Sequence, residues 1–469
     1  MSQPRLLLVE PRFRPPIHPG FRPASLGNRA FHAEAKKSGS AVPLVIGLQR
    51  NGGASSIFRT EIFPPSSPYW ADSVLFADRT VKFLLWQKGG ATLTIGGPAE
   101  LADYFRKAYA PGGSRAFDAG LMARIYERPF TVVGTSPGQV PPANEPAVKK
   151  GGHLDGCRIG FDAGASDRKV AAVIDGKAVY SEEVIWHPKD QADPQYHYDG
   201  IMAAMKAAAS HMPRVDAIGV SSAGVYVDNR IMVASLFRGV SPELFEKRVK
   251  GMFLDIQKAW NNIPMVVVND GDVTALAGAM SIKEGAVLGI AMGSSEAAGY
   301  VAPAGTLTDW LSELAFGPVD YDSQAPMDEW SKDIGVGSQY FSQQAAIRLA
   351  VPAGIPLDPA LTPAEKLKAI QDLMEKGDKR AADIFTSIGI YLGYAVPHYA
   401  EFYDFRHMLI LGRVTSGKGG ELVMDNARRV MQAEFPELAG RIAFHLPEEE
   451  SERRVGQAIA AASLPERAK

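Results

Sequence analysis

Asp162 ends a short apolar strand within residues 157–176, CRIGFDAGASDRKVAAVIDG, and a small polar turn separates it from a second, β-branched strand. The turn residues Gly164, Ala165 and Ser166 are small enough for backbone N–H groups and a hydroxyl to approach a phosphate, and Lys169 adds a positive charge nearby. An aspartate beside a phosphate is repelled unless a cation lies between them, and Mg²⁺ held through water is the usual bridge. The same residues also describe a surface hairpin with a polar turn. This stretch alone leaves both readings open.

A second carboxylate, Asp270, follows Asn269 directly after the β-branched run 264–268 and before an alanine-rich helical stretch, 273–280. A carboxylate at the end of a buried strand can take the proton of a sugar hydroxyl as that oxygen attacks a phosphoryl group, with Asn269 holding adjacent hydroxyls. Aspartate is equally a preferred cap for the next helix. Two further strand ends open into small-residue loops. Residues 287–292 lead into Gly293, Ser294 and Ser295, and residues 408–411 lead into GRVTSGKGG, which spans Gly412 and Gly417 ahead of a helix at 422–434. A flexible loop feeding a helix N-terminus suits the base, ribose or phosphates of a nucleotide. Glu313 interrupts an otherwise apolar run, WLSELAFG.

The elements that must position these residues alternate between strand and helix. After the hairpin come a helix at 198–211, a buried strand at 216–220 ending in SSAGVYVD, a long amphipathic helix at 242–260 and the strand before Asn269. Small-residue loops at strand carboxyl ends are where open α/β sheets bind ligands. Helices are expected at 362–374 and 378–399, and the C-terminal VGQAIAAAS is a small-residue helix able to pack tightly against a sheet. Ahead of the hairpin, residues 1–29 are rich in proline and arginine and read as an extended arm. Residues 30–135 read as a compact α+β domain with a glycine-turn hairpin, and 136–152, SPGQVPPANEPAVKKGG, as a linker. The job of the α+β domain is not legible.

With 469 residues, 46% hydrophobic and 22% charged, the chain is long enough for two or three globular domains. A formal net charge of −2 gives no support to a nucleic-acid or anionic-membrane partner, and no apolar run approaches a membrane span. The single cysteine, Cys157, cannot form an intramolecular disulfide, so a reducing cytoplasm is the expected location.

The order of these motifs from about residue 157 to 465 resembles the actin-like ATPase superfamily, and within it the ROK group of bacterial sugar kinases and repressors. The resemblance implies a two-lobed, ribonuclease H-like α/β core, with lobes at 153–280 and 281–469 and the C-terminal helix returning to the first. It makes Asp270 the general base, and puts Asn269 and Glu313 on the sugar. Asp162 would act on Mg²⁺ through water. The nucleotide would be held by Gly164, Ser166, Lys169, Gly293, Ser294, Ser295, Gly412 and Gly417. ATP-dependent phosphorylation of a sugar or sugar-like polyol is the activity implied, with a homodimer as the default assembly. The chain departs from the group in four ways, one being its N-terminal α+β domain, which stands where the group's repressors carry a DNA-binding module. Phe316 stands where the group has a histidine, and one cysteine cannot build the thiolate-rich structural zinc site, so no structural zinc is expected. The loop GSSEAAG carries Ser295, Glu296 and Ala297 where glycines are common, and side chains there limit how closely a phosphate can approach. That last change keeps open an alternative, a non-catalytic sugar- or nucleotide-sensing protein.

Overall fold

A computed structural model describes residues 4–146, 150–164, 167–446 and 450–468. The core is built from two related mixed sheets. In the first, β5 (Cys157–Ala163), β6 (Asp167–Ile174) and β7 (Lys177–Ile185) form an antiparallel meander, and β8 (Ala217–Ser222) and β11 (Met265–Asn269) join β5 in parallel, giving the order β11-β8-β5-β6-β7. β5 and β8 are buried almost throughout, whereas the edge strand β7 alternates and exposes Glu182 and Glu183, charges that protect an open edge. A small ribbon of β9 (Val225–Val227) and β10 (Arg230–Val233) comes after β8. The second sheet is a shorter version of the first. Its strands β12 (Val287–Met292) and β13 (Glu296–Val301) are antiparallel, and β14 (His407–Leu411) and β15 (Ala443–His445) add in parallel to give β13-β12-β14-β15.

The helix Glu450–Ala462 leaves the second lobe and lies on β5, β6 and β8 of the first. Its close seating depends on Gly160 in β5 and Gly219 in β8. A Cβ at either would overlap the carbonyl oxygen of Ala458 or Ala461, so backbone meets backbone there. The run of alanines supplies the matching thin helix face, with Ala460, Ala461 and Ala462 fully buried.

The N-terminal segment is organised differently from the expectation in one respect. The extended arm stops at Pro23, and Ala24–Ser38 is a helix ended by Gly39 in the left-handed region. The arm itself is anchored in the second lobe, where Phe21 packs edge-on against Tyr391 and the Tyr394 hydroxyl accepts from the Phe13 N–H. The domain after it has a sheet ordered β2-β1-β3-β4, from β1 (Val42–Gln49), β2 (Ser55–Ile62), β3 (Thr92–Gly96) and β4 (Thr131–Thr135). The apolar run before Gly89 belongs to the helix Trp70–Lys88, which is buried on nearly every side because it lies between this sheet and the second lobe. Phe83 stacks on Phe402, and Trp86 packs at a tilt against Phe316, across that boundary. A buried charge network crosses it too. Asp333 of the second lobe meets Arg79 at 2.9 Å, Arg115 at 2.8 Å and Lys82 at 3.2 Å, and Lys82 and Arg115 also pair with Asp118 and Asp78. Residues 136–146 run back along the domain rather than away from it, through a bridge between Ser55 and Asn144 and an Arg50–Glu145 ion pair.

The stretch 242–260, expected as one long helix, is broken. A π-helical turn at Phe245–Val249 precedes the α-helix Met252–Ala259, and the Phe245 and Val249 side chains turn into the core.

Candidate functional site

Parallel pairing decides which residues share the cleft. β5, β8 and β11 run side by side with Asp162 opposite Ser221, and Ser222 opposite both Ala163 and Asn269, so three strand ends present their polar residues in one row. Asp162 accepts a 2.7 Å hydrogen bond from the Ser221 hydroxyl, and Lys169 lies 3.8 Å away while pairing more closely with Asp167 at 2.8 Å. Burial lifts the Asp162 carboxyl above its ordinary range, with Ser221 and Lys169 opposing the shift. Of the remaining turn, Gly164 gives its carbonyl to the Trp186 indole at 2.9 Å. Ala165 and Ser166 lie outside the described residues.

The cap of the helix Asp270–Ile282 is Asn269, not Asp270. The Asn269 carboxamide oxygen accepts from the Gly271 N–H at 2.7 Å, and its nitrogen donates to the Gly224 carbonyl at 2.8 Å. One amide hydrogen of Asn269 therefore remains for a ligand. Asp270, relieved of capping, accepts from the Gly271 N–H at 3.0 Å and from its own backbone N–H. The helix presses directly on β13, where a Cβ on Gly299 would overlap the Gly271 carbonyl, and this contact sets Asp270 at the junction of the lobes. Burial first, and the charge of Asp162 second, raise the Asp270 carboxyl to about 6.

Glu313 reaches the same junction from the second lobe. Its N–H donates to the Trp86 carbonyl at 3.0 Å, so the N-terminal domain holds this segment in place. Burial, then the charges of Asp270 and Asp272, raise its carboxyl to about 8. Phe316, standing where the group has a histidine, packs against Trp86 and presents no polar atom.

In the second lobe, β12 and β14 pair in parallel with Ala291 opposite Leu411, which brings Gly293 next to Gly412. Gly412 has φ 103° and packs on Met292, whose carbonyl oxygen would sit 2.5 Å from any Cβ; only glycine fits. Gly293, Ser294 and Ser295 make the tight turn between β12 and β13, with both serines exposed. Glu296, one of the side chains expected to limit phosphate approach, begins β13 and points the other way. It is buried near Gly337, neither carboxylate oxygen has a hydrogen-bond partner among the described residues, and burial, with the Glu313 charge adding to it, pushes its carboxyl well above the ordinary range, so it is a weak acid. Gly417 opens the helix Gly417–Glu434 beside Glu375, whose carboxylate accepts from the Lys418 N–H at 3.2 Å. That carboxylate occupies the position an anionic ligand of this helix end would take.

Sequence reasoning missed three residues of the site. Ser221 orients Asp162; Tyr226 donates to Ser222 at 2.6 Å close to both aspartates; Asp272 is 8% exposed, with burial raising its carboxyl to about 7. The signal for the first two was the small-residue loop SSAGVYVD at the end of β8. Asp272 offered none, because it sits two residues from Asp270 on another face of the helix. Among the described residues no group of three or more His, Cys, Asp or Glu side chains is arranged to hold a metal ion, and no helix is long and apolar enough to cross a membrane.

Two lobes, each built on a mixed sheet of related strand order, have the actin-like ATPase fold found in a ROK sugar kinase of known structure. The ROK hexokinase of Thermus thermophilus matches with a TM-score of 0.51 at 16% identity, over 65% of this chain and 97% of that one. A ROK glucokinase from Streptomyces griseus, solved with glucose and AMPPNP, matches at 0.49 with 19% identity, over 66% and 99% of the two chains. A ROK transcriptional regulator, a homolog of the E. coli MLC protein, matches at 0.49 with 17% identity, over 78% and 88%. No family profile and no curated protein matches the sequence.

Proposed function

We propose that this chain transfers a phosphoryl group from ATP to a hydroxyl of a sugar or sugar-like polyol, with Asp270 as general base. The observation that carries the reading is the Asp270 carboxylate itself. It stands free of capping duty at the junction of the lobes, and its acidity of about 6 leaves it ionised yet basic at neutral pH. Asn269, through its remaining amide hydrogen, and Glu313 position the acceptor. Gly164, Ser166, Lys169 and the turn Gly293–Ser294–Ser295 cradle phosphates, and Gly412 and Gly417 border the nucleoside. Asp162 fits a magnesium ion held through water, because it is a single carboxylate already bonded to Ser221; the ion would neutralise phosphate charge. Closure of the lobes excludes water that would otherwise compete for the phosphoryl group.

The test is an ADP-release screen over hexoses, amino sugars and inositols, comparing wild type with Asp270→Ala. Turnover is expected to fall by at least about 10²-fold in the variant, the scale of a lost general base. Unchanged turnover removes Asp270 from the chemistry. The Glu375 carboxylate at the Gly417 helix end favours a second reading, a sugar-sensing protein that binds no nucleotide. Calorimetry with ATP-Mg²⁺ separates the two, since a pure sugar sensor gives no nucleotide heat.

A further inference from the structure

A cavity of about 610 Å³ lies beside the acceptor end of the cleft. Gly224 and Asn269 line it from the first lobe, Trp310 from the second, and Arg50, Asn51 and Tyr126 from the N-terminal domain. None of Asp162, Asp270 and Glu313 lines it, so this is room beyond the reacting position, joined to it through Asn269. Its volume falls in the range of about 300–1,000 Å³ typical of sites for whole small molecules.

The chemistry of the walls selects among ligands. Arg50 pairs with Glu145 at 2.5 Å, and Lys150 with Asp309 at 2.7 Å. Lys88, which does not line the cavity, has its ammonium 2.8 Å above the Trp310 ring, and burial, opposed by Glu145, lowers it to about 7. Among the described residues of the walls, no cation is left over for an anionic ligand. Asp272, by contrast, has a buried carboxylate facing the cavity with a single long contact, 3.4 Å from the Tyr300 N–H. A carboxylate so poorly satisfied is matched by a ligand hydroxyl. The amides of Asn51 and Asn269 add further polar contacts. Paired cations, amides and one unsatisfied acceptor suit a neutral polyhydroxylated group rather than a phosphate.

We propose that the acceptor is a carbohydrate of at least two rings, with its reacting ring at Asp270 and Glu313, its second ring in this cavity, and the N-terminal domain as the outer wall. The inference rests on the sugar-phosphorylation reading for the reacting ring and gives the N-terminal domain a role in acceptor choice.

The test is calorimetry on the full chain without nucleotide, titrating maltose, cellobiose, lactose, trehalose and sucrose against glucose, galactose and fructose. At least one disaccharide is expected to bind tenfold or more tightly than either of its component monosaccharides. Asn51→Trp, which fills the outer end of the cavity, is expected to abolish that margin; Thr308→Trp on the opposite rim repeats the test should the first variant fail to fold. The proposal is overturned if no disaccharide exceeds its components, or if the margin survives a folded tryptophan variant. Because the margin is read without ATP, the two ideas separate. A margin without any ADP release overturns the kinase reading alone, and ADP release from monosaccharides with no margin overturns the extended acceptor alone.

Discussion

The acidity of Asp270 sets a pH dependence that can be worked out in advance. Burial and the neighbouring Asp162 charge raise its carboxyl from 3.8 to about 6. A general base works only when ionised, so its active fraction is about ten parts in eleven at pH 7 and about one in eleven at pH 5. Dropping the pH from 7 to 5 should therefore cut kcat/KM about tenfold, along a limb of unit slope. The Glu313 carboxyl titrates at about 8, two units higher, so its limb stands apart. Asp162→Asn removes the like charge but not the burial, which is the larger cause. The midpoint should then move below 6 without reaching the ordinary aspartate value, while the amplitude falls for separate reasons tied to the phosphates. The assay is coupled ADP release across pH 5–9 on both proteins. A flat profile between pH 5 and 7, or a midpoint that stays or climbs in Asp162→Asn, would refute this account of the base.

Asp333→Asn strips the shared carboxylate from Arg79, Lys82 and Arg115 and should destabilise the protein by about 3–5 kcal/mol at pH 7 in chemical denaturation. Burial alone would raise the Asp333 carboxyl, but the three cations hold it far below its usual range, so its stabilisation is present above about pH 4 and fades in acid. The gap between variant and wild type should narrow below that pH; a constant gap contradicts the charge argument. Gly219→Val drives a side chain into the Ala461 carbonyl and should cost about 1–3 kcal/mol, with the C-terminal helix becoming sensitive to limited proteolysis. A variant as resistant as wild type would show that the helix does not need this close seat.

The local features of the cleft were legible because each depends on near neighbours. A β-branched run stopping at Asn269-Asp270, a hairpin around Asp162 and small-residue turns at Gly293 and Gly412 all signal strand ends. Their order along the chain pointed to the two-lobed fold. The consequences of strand and helix pairing were hidden. Asp270 read equally well as the cap of its helix; that Asn269 takes this duty depends on the Gly224 carbonyl, 45 residues away, which holds the Asn269 amide. Glu296 looked like a threat to phosphate binding until the strand pleat turned it inward.

The sequence by itself determined which residues end strands, since hydrophobic periodicity and turn chemistry are local properties. Only the tertiary structure decided how acidic Asp270 and Glu313 are, because those shifts come from burial and from charges brought in by other elements. It alone decided the place of residues 30–135 as well. Their helix Trp70–Lys88 is apolar on all sides because it packs against two partners, and a chain read in one dimension does not reveal that the second partner is the far lobe.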